Sequence, residues 1–76
     1  MARLPVLSGR EVLRALGHAG FVAVGGKGSH VRLKGTRNGA RRVVIVPLHT
    51  ELTPGTLLSI LRQSGLTRDD LHVLLG

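Results

Sequence analysis

Ser29-His30-Val31-Arg32-Leu33-Lys34 decides how this chain is read. From His30 onward, polar and apolar residues alternate through it without a break. In a strand, successive side chains leave opposite faces. Val31 and Leu33 therefore point one way, and His30, Arg32 and Lys34 the other. If the apolar pair packs into a core, one histidine and two cations stand together on the other surface.

The flanking segments make this strand part of a sheet. Phe21-Val22-Ala23-Val24 reads as a short buried strand, and Gly25-Gly26-Lys27-Gly28 as a flexible turn. Gly35 to Ala40, with Asn38-Gly39 inside it, reads as a second turn. Arg41 to Val46 follows as a third strand, stopped by Pro47. Three consecutive strands joined by short turns imply an antiparallel meander.

Helices bracket the strands. Ser8-Gly9-Arg10-Glu11 has capping-box spacing, and Leu7 and Val12 sit where a hydrophobic staple falls. The pattern predicts a helix over Gly9–Ala19 with Val12, Leu13, Leu16 and Ala19 as its apolar stripe. Gly20 stands in position for a left-handed cap. Thr53-Pro54 is a second helix start, an N-cap followed by proline where no donor is needed. Leu57, Leu58, Ile60 and Leu61 form its expected stripe, and Gly65 ends it. Thr67 with Asp70 starts a last short helix, whose Leu71, Leu74 and Leu75 fold back on the core. The expected fold is α+β, in the order α-β-β-β-α plus a short C-terminal helix. Its three-stranded antiparallel sheet carries two helices on one face. Residues 1–76 read as a single domain.

Composition narrows the function. Eleven Lys and Arg face four Asp and Glu, a formal charge of +7. So small a surface with that excess attracts phosphate backbones, and also anionic membranes and acidic proteins. Phe21 is the only Phe, Tyr or Trp residue. An RRM-like sheet that stacks bases on Phe and Tyr is therefore excluded, and nucleic-acid binding should rest on backbone charge and shape. There is no cysteine, which fits a reducing compartment and leaves no thiolate metal site. Met1-Ala2-Arg3-Leu4-Pro5 leads into no apolar run of the kind a signal peptide carries. No stretch reaches the ~18 apolar residues of a membrane span. The expected location is the cytoplasm.

His30 is the first candidate for chemistry. It follows a glycine-rich turn and shares a face with two cations, and histidine is the residue type best suited to take or give a proton near neutral pH. RNA carries its own nucleophile, the ribose 2′-hydroxyl. A positioned histidine can take that proton or protonate the 5′-oxygen that leaves. Arg32, Lys34 and Lys27 can stabilise the extra negative charge on phosphorus. The alternative is an ordinary exposed strand histidine. His49, just past Pro47, can bind phosphate, pair with His30 in acid–base work, or simply fix the loop. His18 belongs with the first helix's C-terminal dipole, and His72 has no neighbouring chemistry. The histidine spacings match no compact metal site, and GGKG is not a Walker motif because no GK[ST] opens a helix. Arg41 and Arg42, beside Arg37, form a second basic spot that extends the first or stays a solvated strand end.

Taken in order, several segments resemble one family. LSGREVLRALGHAGF, Gly28-Ser29-His30, Val46-Pro47-Leu48-His49, Glu51-Leu52-Thr53-Pro54-Gly55-Thr56-Leu57 and Ile60-Leu61-Arg62-Gln63-Ser64-Gly65-Leu66 resemble HicA-type toxins over nearly the whole chain. The resemblance implies a fold like the double-stranded-RNA-binding domain. It implies an mRNA interferase catalysed by His30 and covered by a HicB-type antitoxin, and the 2′-hydroxyl chemistry expected of the His30 face needs no metal or other cofactor. Two places depart from the family pattern: Val31 stands where a second histidine is frequent, and Gly25-Gly26-Lys27 where the turn is often bulkier. The expected RNA-contacting set is Lys27, Gly28, Ser29, Arg32, Lys34, Arg41, Arg42 and His49. Two other functions fit the same fold. One is a noncatalytic RNA-binding module, and the other an inactive homologue acting through antitoxin binding.

Overall fold

Ser8 and Glu11 close the first turn of α1 (Gly9–His18) on each other. The Glu11 amide donates to the Ser8 hydroxyl at 3.1 Å, and the Ser8 amide donates to the Glu11 carboxylate at 2.9 Å. The computed structural model describes residues 3–76, so Met1 and Ala2, where the signal-peptide reading begins, lie outside the described residues. After α1 come β1 (Val22–Lys27), β2 (His30–Arg37), β3 (Ala40–Pro47), α2 (Pro54–Ser64) and α3 (Arg68–Leu75). The strands form one antiparallel sheet in the order β1-β2-β3. This is the expected α+β arrangement.

The core is aliphatic with one ring. Val12, Ala15 and Leu16 of α1 are buried, as are Leu57, Ile60 and Leu61 of α2. Leu33, Val44 and Val46 meet them from the sheet, and Leu71 from α3. Residues three and four apart share a helix face, which is why the α1 stripe takes Ala15 and leaves Leu13 half-buried. The same period turns Leu58 outward, against the sequence expectation. Leu75 is exposed as well. Among the described residues the one buried polar side chain, Ser64, is satisfied: its hydroxyl donates to the Leu61 carbonyl at 3.1 Å and accepts from the Leu66 amide at 3.2 Å. The Phe21 ring packs against Gly35, where a Cβ would come within 2.6 Å of it.

The strands run longer than alternation predicts. Asn38 and Gly39 both adopt left-handed φ, 54° and 75°. That makes the two-residue turn which right-twisted hairpins favour, so β2 continues to Arg37 and β3 starts at Ala40. The glycine-rich segment is mostly strand too, since β1 runs through Lys27 and only Gly28 and Ser29 turn. The expected short buried strand Phe21–Val24 is corrected here. Phe21 is buried just ahead of β1, but every residue of β1 is exposed. Helices α1 and α2 pack over β3, so β1 overhangs as the uncovered edge. Its pairing with β2 slips between Ala23 and Gly25, a bulge of the kind that twists an edge. The other edge is guarded, because the Ile45 amide donates to the Gln63 side chain of α2 at 2.9 Å. Among the described residues, no helix is long and apolar enough to cross a membrane.

Candidate nucleic-acid interface and acid–base site

The face of the sheet away from the helices is open. His30, Arg32 and Lys34 are exposed on it, while Leu33 is buried and Val31 half-buried beneath. The cross-strand register supplies their neighbours. Arg32 stands opposite Ile45, Lys34 opposite Val43, and Thr36 opposite Arg41. Lys27 pairs with His30 from the other side. The face thus alternates cations with exposed aliphatic side chains. Two shallow grooves follow it. One, of about 360 Å³, is lined by Gly26, Lys27, His30, Val31, Arg32 and Ile45. The other, of about 440 Å³, is lined by Lys34, Thr36, Arg41 and Val43, with Gly35 and Arg42 pairing across its floor.

Backbone packing fixes His30. A Cβ at Gly26 would run into the His30 carbonyl oxygen, so only glycine lets β1 come this close to the start of β2. Gly28 turns the chain with φ +61°. The Leu48 amide donates to the Ser29 carbonyl at 2.7 Å, extending the β2–β3 pairing past the strand ends. His49 follows immediately. Its carbonyl accepts the Gly9 amide at 2.9 Å, and a Cβ at Gly9 would collide with the Pro47 carbonyl. The N-terminus of α1 therefore clamps the loop that carries His49. The rings of His30 and His49 lie edge to face, 6.4 Å apart at 77°.

The other histidines are occupied elsewhere. His18 closes α1, but its Nδ1 meets the Leu74 carbonyl of α3 at 3.2 Å. His72 places Nε2 at 2.7 Å from the Arg3 carbonyl.

Arg41 and Arg42 part company. Arg41 joins the open face. Arg42 turns toward the helices, where its Nε donates to the Arg37 carbonyl at 3.3 Å and its guanidinium lies against Gly65. Arg37 is on that side too and pairs with Asp70 at 3.0 Å. Two of the four acidic residues are engaged in helix caps. Glu11 is engaged by Ser8, whose amide and hydroxyl hold its carboxyl below the ordinary range. Asp70 is held down by Thr67 in the same way, with Arg37 adding to it. Among the described residues, no three His, Asp or Glu side chains come together in a way that could hold a metal ion.

Sequence reasoning finds His30, Arg32 and Lys34 because β2 alternates. It misses Gly9 and Gly26, whose role is to leave room for a neighbouring carbonyl. It also misses Ile45 and Val43 as parts of the face, because Val43-Val44-Ile45-Val46 shows no alternation. Comparison with known proteins identifies one family. The model described as HicA toxin of bacterial toxin-antitoxin matches residues 9–66, more than half of the chain. The comparison with curated proteins gives no match.

Proposed function

The chain belongs to the HicA toxin family of bacterial toxin–antitoxin systems, and from that premise we propose that it is an endoribonuclease that cuts mRNA on its open sheet face. The observation that carries the reading is His30 exposed among unpaired cations. Lys27, Arg32, Lys34 and Arg41 surround or extend its groove, and the ion pair among the described residues, Arg37–Asp70, lies on the other side. Alternate strand residues stand about 7 Å apart, a spacing on the scale of successive phosphates. The cations of β2 thus suit a nucleic-acid backbone followed along the strand. With Phe21 buried and no Tyr or Trp in the chain, affinity rests on charge and on the exposed Ile45 and Val43.

The reaction uses the substrate's own hydroxyl. His30 acts in proton transfer as O2′ bonds to phosphorus and the P–O5′ bond breaks. The 2′-proton is removed and a proton is delivered to the departing 5′-oxygen. The products are a 2′,3′-cyclic phosphate and a 5′-hydroxyl, and the chemistry needs no metal. Lys27 and Arg32, which line the groove with His30, stabilise the added charge in this reading. In the cell the partner is a HicB-type antitoxin, an acidic surface that covers the same face.

Expression of the wild type beside His30→Ala tests this, with growth and mRNA integrity read together. The wild type should arrest growth and fragment mRNA, the variant should do neither, and the antitoxin should restore growth. Two soluble, folded and harmless proteins would reject the ribonuclease in favour of a binding module.

A further inference from the structure

The four histidines divide into two pairs. Those outside the site, His18 and His72, spend a ring nitrogen on a backbone carbonyl and tie α1 and the N-terminal segment to α3. His30 and His49 make no such hydrogen bond among the described residues, and both are exposed. Yet they are the ones brought together, by elements distant in sequence. Their 6.4 Å separation is too wide for the ring edges to bond each other. What holds it is backbone: the Leu48–Ser29 hydrogen bond, the Gly9–His49 hydrogen bond, and the two glycines that admit the His30 and Pro47 carbonyls. A loop clamped this firmly to present an unbonded ring is more than a connection.

The geometry points to His49 as the second proton-transfer group of the site. This inference rests on the ribonuclease reading. Cleavage moves two protons at oxygens on opposite sides of one phosphorus, so a single ring has to serve both in turn. Two rings flanking a phosphate serve both at once, each needing only to come within about 2.6–3.2 Å of its oxygen. One imidazole takes the 2′-proton as O2′ closes on phosphorus. The other, entering as the imidazolium, gives its proton to O5′ as the P–O5′ bond breaks. Each ring ends in the protonation state its partner began with, and exchange with water resets them. Lys27, paired with His30, and Arg32, beside it in the groove, stand by the non-bridging oxygens.

The test compares two RNA substrates of the same sequence. One has ordinary linkages. The other has sulfur in place of O5′ at the cut site, a leaving group that departs without a proton. Wild type, His30→Ala, His49→Ala and the nearly isosteric His49→Gln are assayed after a check that each is folded. Every variant should lose about 10²–10⁴-fold on ordinary RNA. On the sulfur substrate, changing one histidine should be nearly harmless and changing the other should stay crippling. The rescued position is the acid and the other the base. A His49 variant that cuts ordinary RNA at the wild-type rate overturns the inference. So does rescue at both positions or at neither, which makes His49 a binding or structural residue. A wild type that cuts neither substrate sinks the ribonuclease reading itself, a result distinct from these.

Discussion

The carbonyl oxygen of His30 occupies the space that a side chain at Gly26 would need. β1 and β2 therefore approach each other at the candidate site more closely than any other residue at that position allows. His30 takes its place from this contact. Gly26→Ala pushes the start of β2 away, and a misplacement of about 1 Å at a reacting group can cost roughly 10²-fold. Cleavage should fall by about that factor. Thermal unfolding should register a loss of about 1–3 kcal/mol, the usual cost of overpacking. Unchanged cleavage would show that β1 does not position the histidine.

Adjacent residues of β2 should behave as opposites. Leu33 is buried in the core and Arg32 is exposed. Leu33→Ala should cost about 2–5 kcal/mol in denaturant unfolding. Arg32→Ala should stay within about 0.5 kcal/mol of wild type, yet weaken RNA binding and reduce the salt slope by about one phosphate contact. The reverse pattern would mean the faces of β2 are exchanged.

Arg41 and Arg42 make the same contrast on β3. Arg41→Ala should lower RNA affinity and the salt slope with little effect on stability. Arg42→Ala removes the hydrogen bond to the Arg37 carbonyl and the packing on Gly65. It should destabilise by about 1 kcal/mol and leave the salt slope alone. Equal loss of affinity from both would place both guanidinium groups on the RNA.

Acid should loosen α3. Asp70 caps the helix through the Thr67 amide and hydroxyl and pairs with Arg37, so its carboxyl titrates below the ordinary 3.8. A depressed folded value stabilises the fold above the unfolded value, and that contribution is lost as pH falls through the folded one. Stability measured downward from pH 5 should therefore decline less steeply in Asp70→Asn than in wild type. Parallel curves would mean the cap and ion pair contribute nothing.

The helix starts are legible in the sequence because their signals are local. Ser8 with Glu11 and Thr67 with Asp70 satisfy amides within one turn, and the Thr53 hydroxyl takes the Thr56 amide while Pro54 needs no acceptor. The faces of β2 are legible because alternation is a property of the strand itself. The exposure of β1 is not, since Phe21–Val24 reads the same on an edge as in the middle of a sheet. Only the seating of the helices over β3 decides it. Arg41 and Arg42 are equal in composition, and the register with Thr36 and Gly35 separates them. His49 is visible as a histidine near Pro47. Its approach to His30 depends on the clamp of Gly9 against the loop, a tertiary contact with no local signature.

The most direct test of the ribonuclease site gives purified protein an RNA with one mapped cut, beside the same strand carrying a single 2′-deoxynucleotide at that position. Wild type should cut the first, leaving a 2′,3′-cyclic phosphate, and spare the second, while folded His30→Ala cuts neither. Cleavage of the deoxy-substituted strand at the same bond, or full activity in His30→Ala, would contradict it.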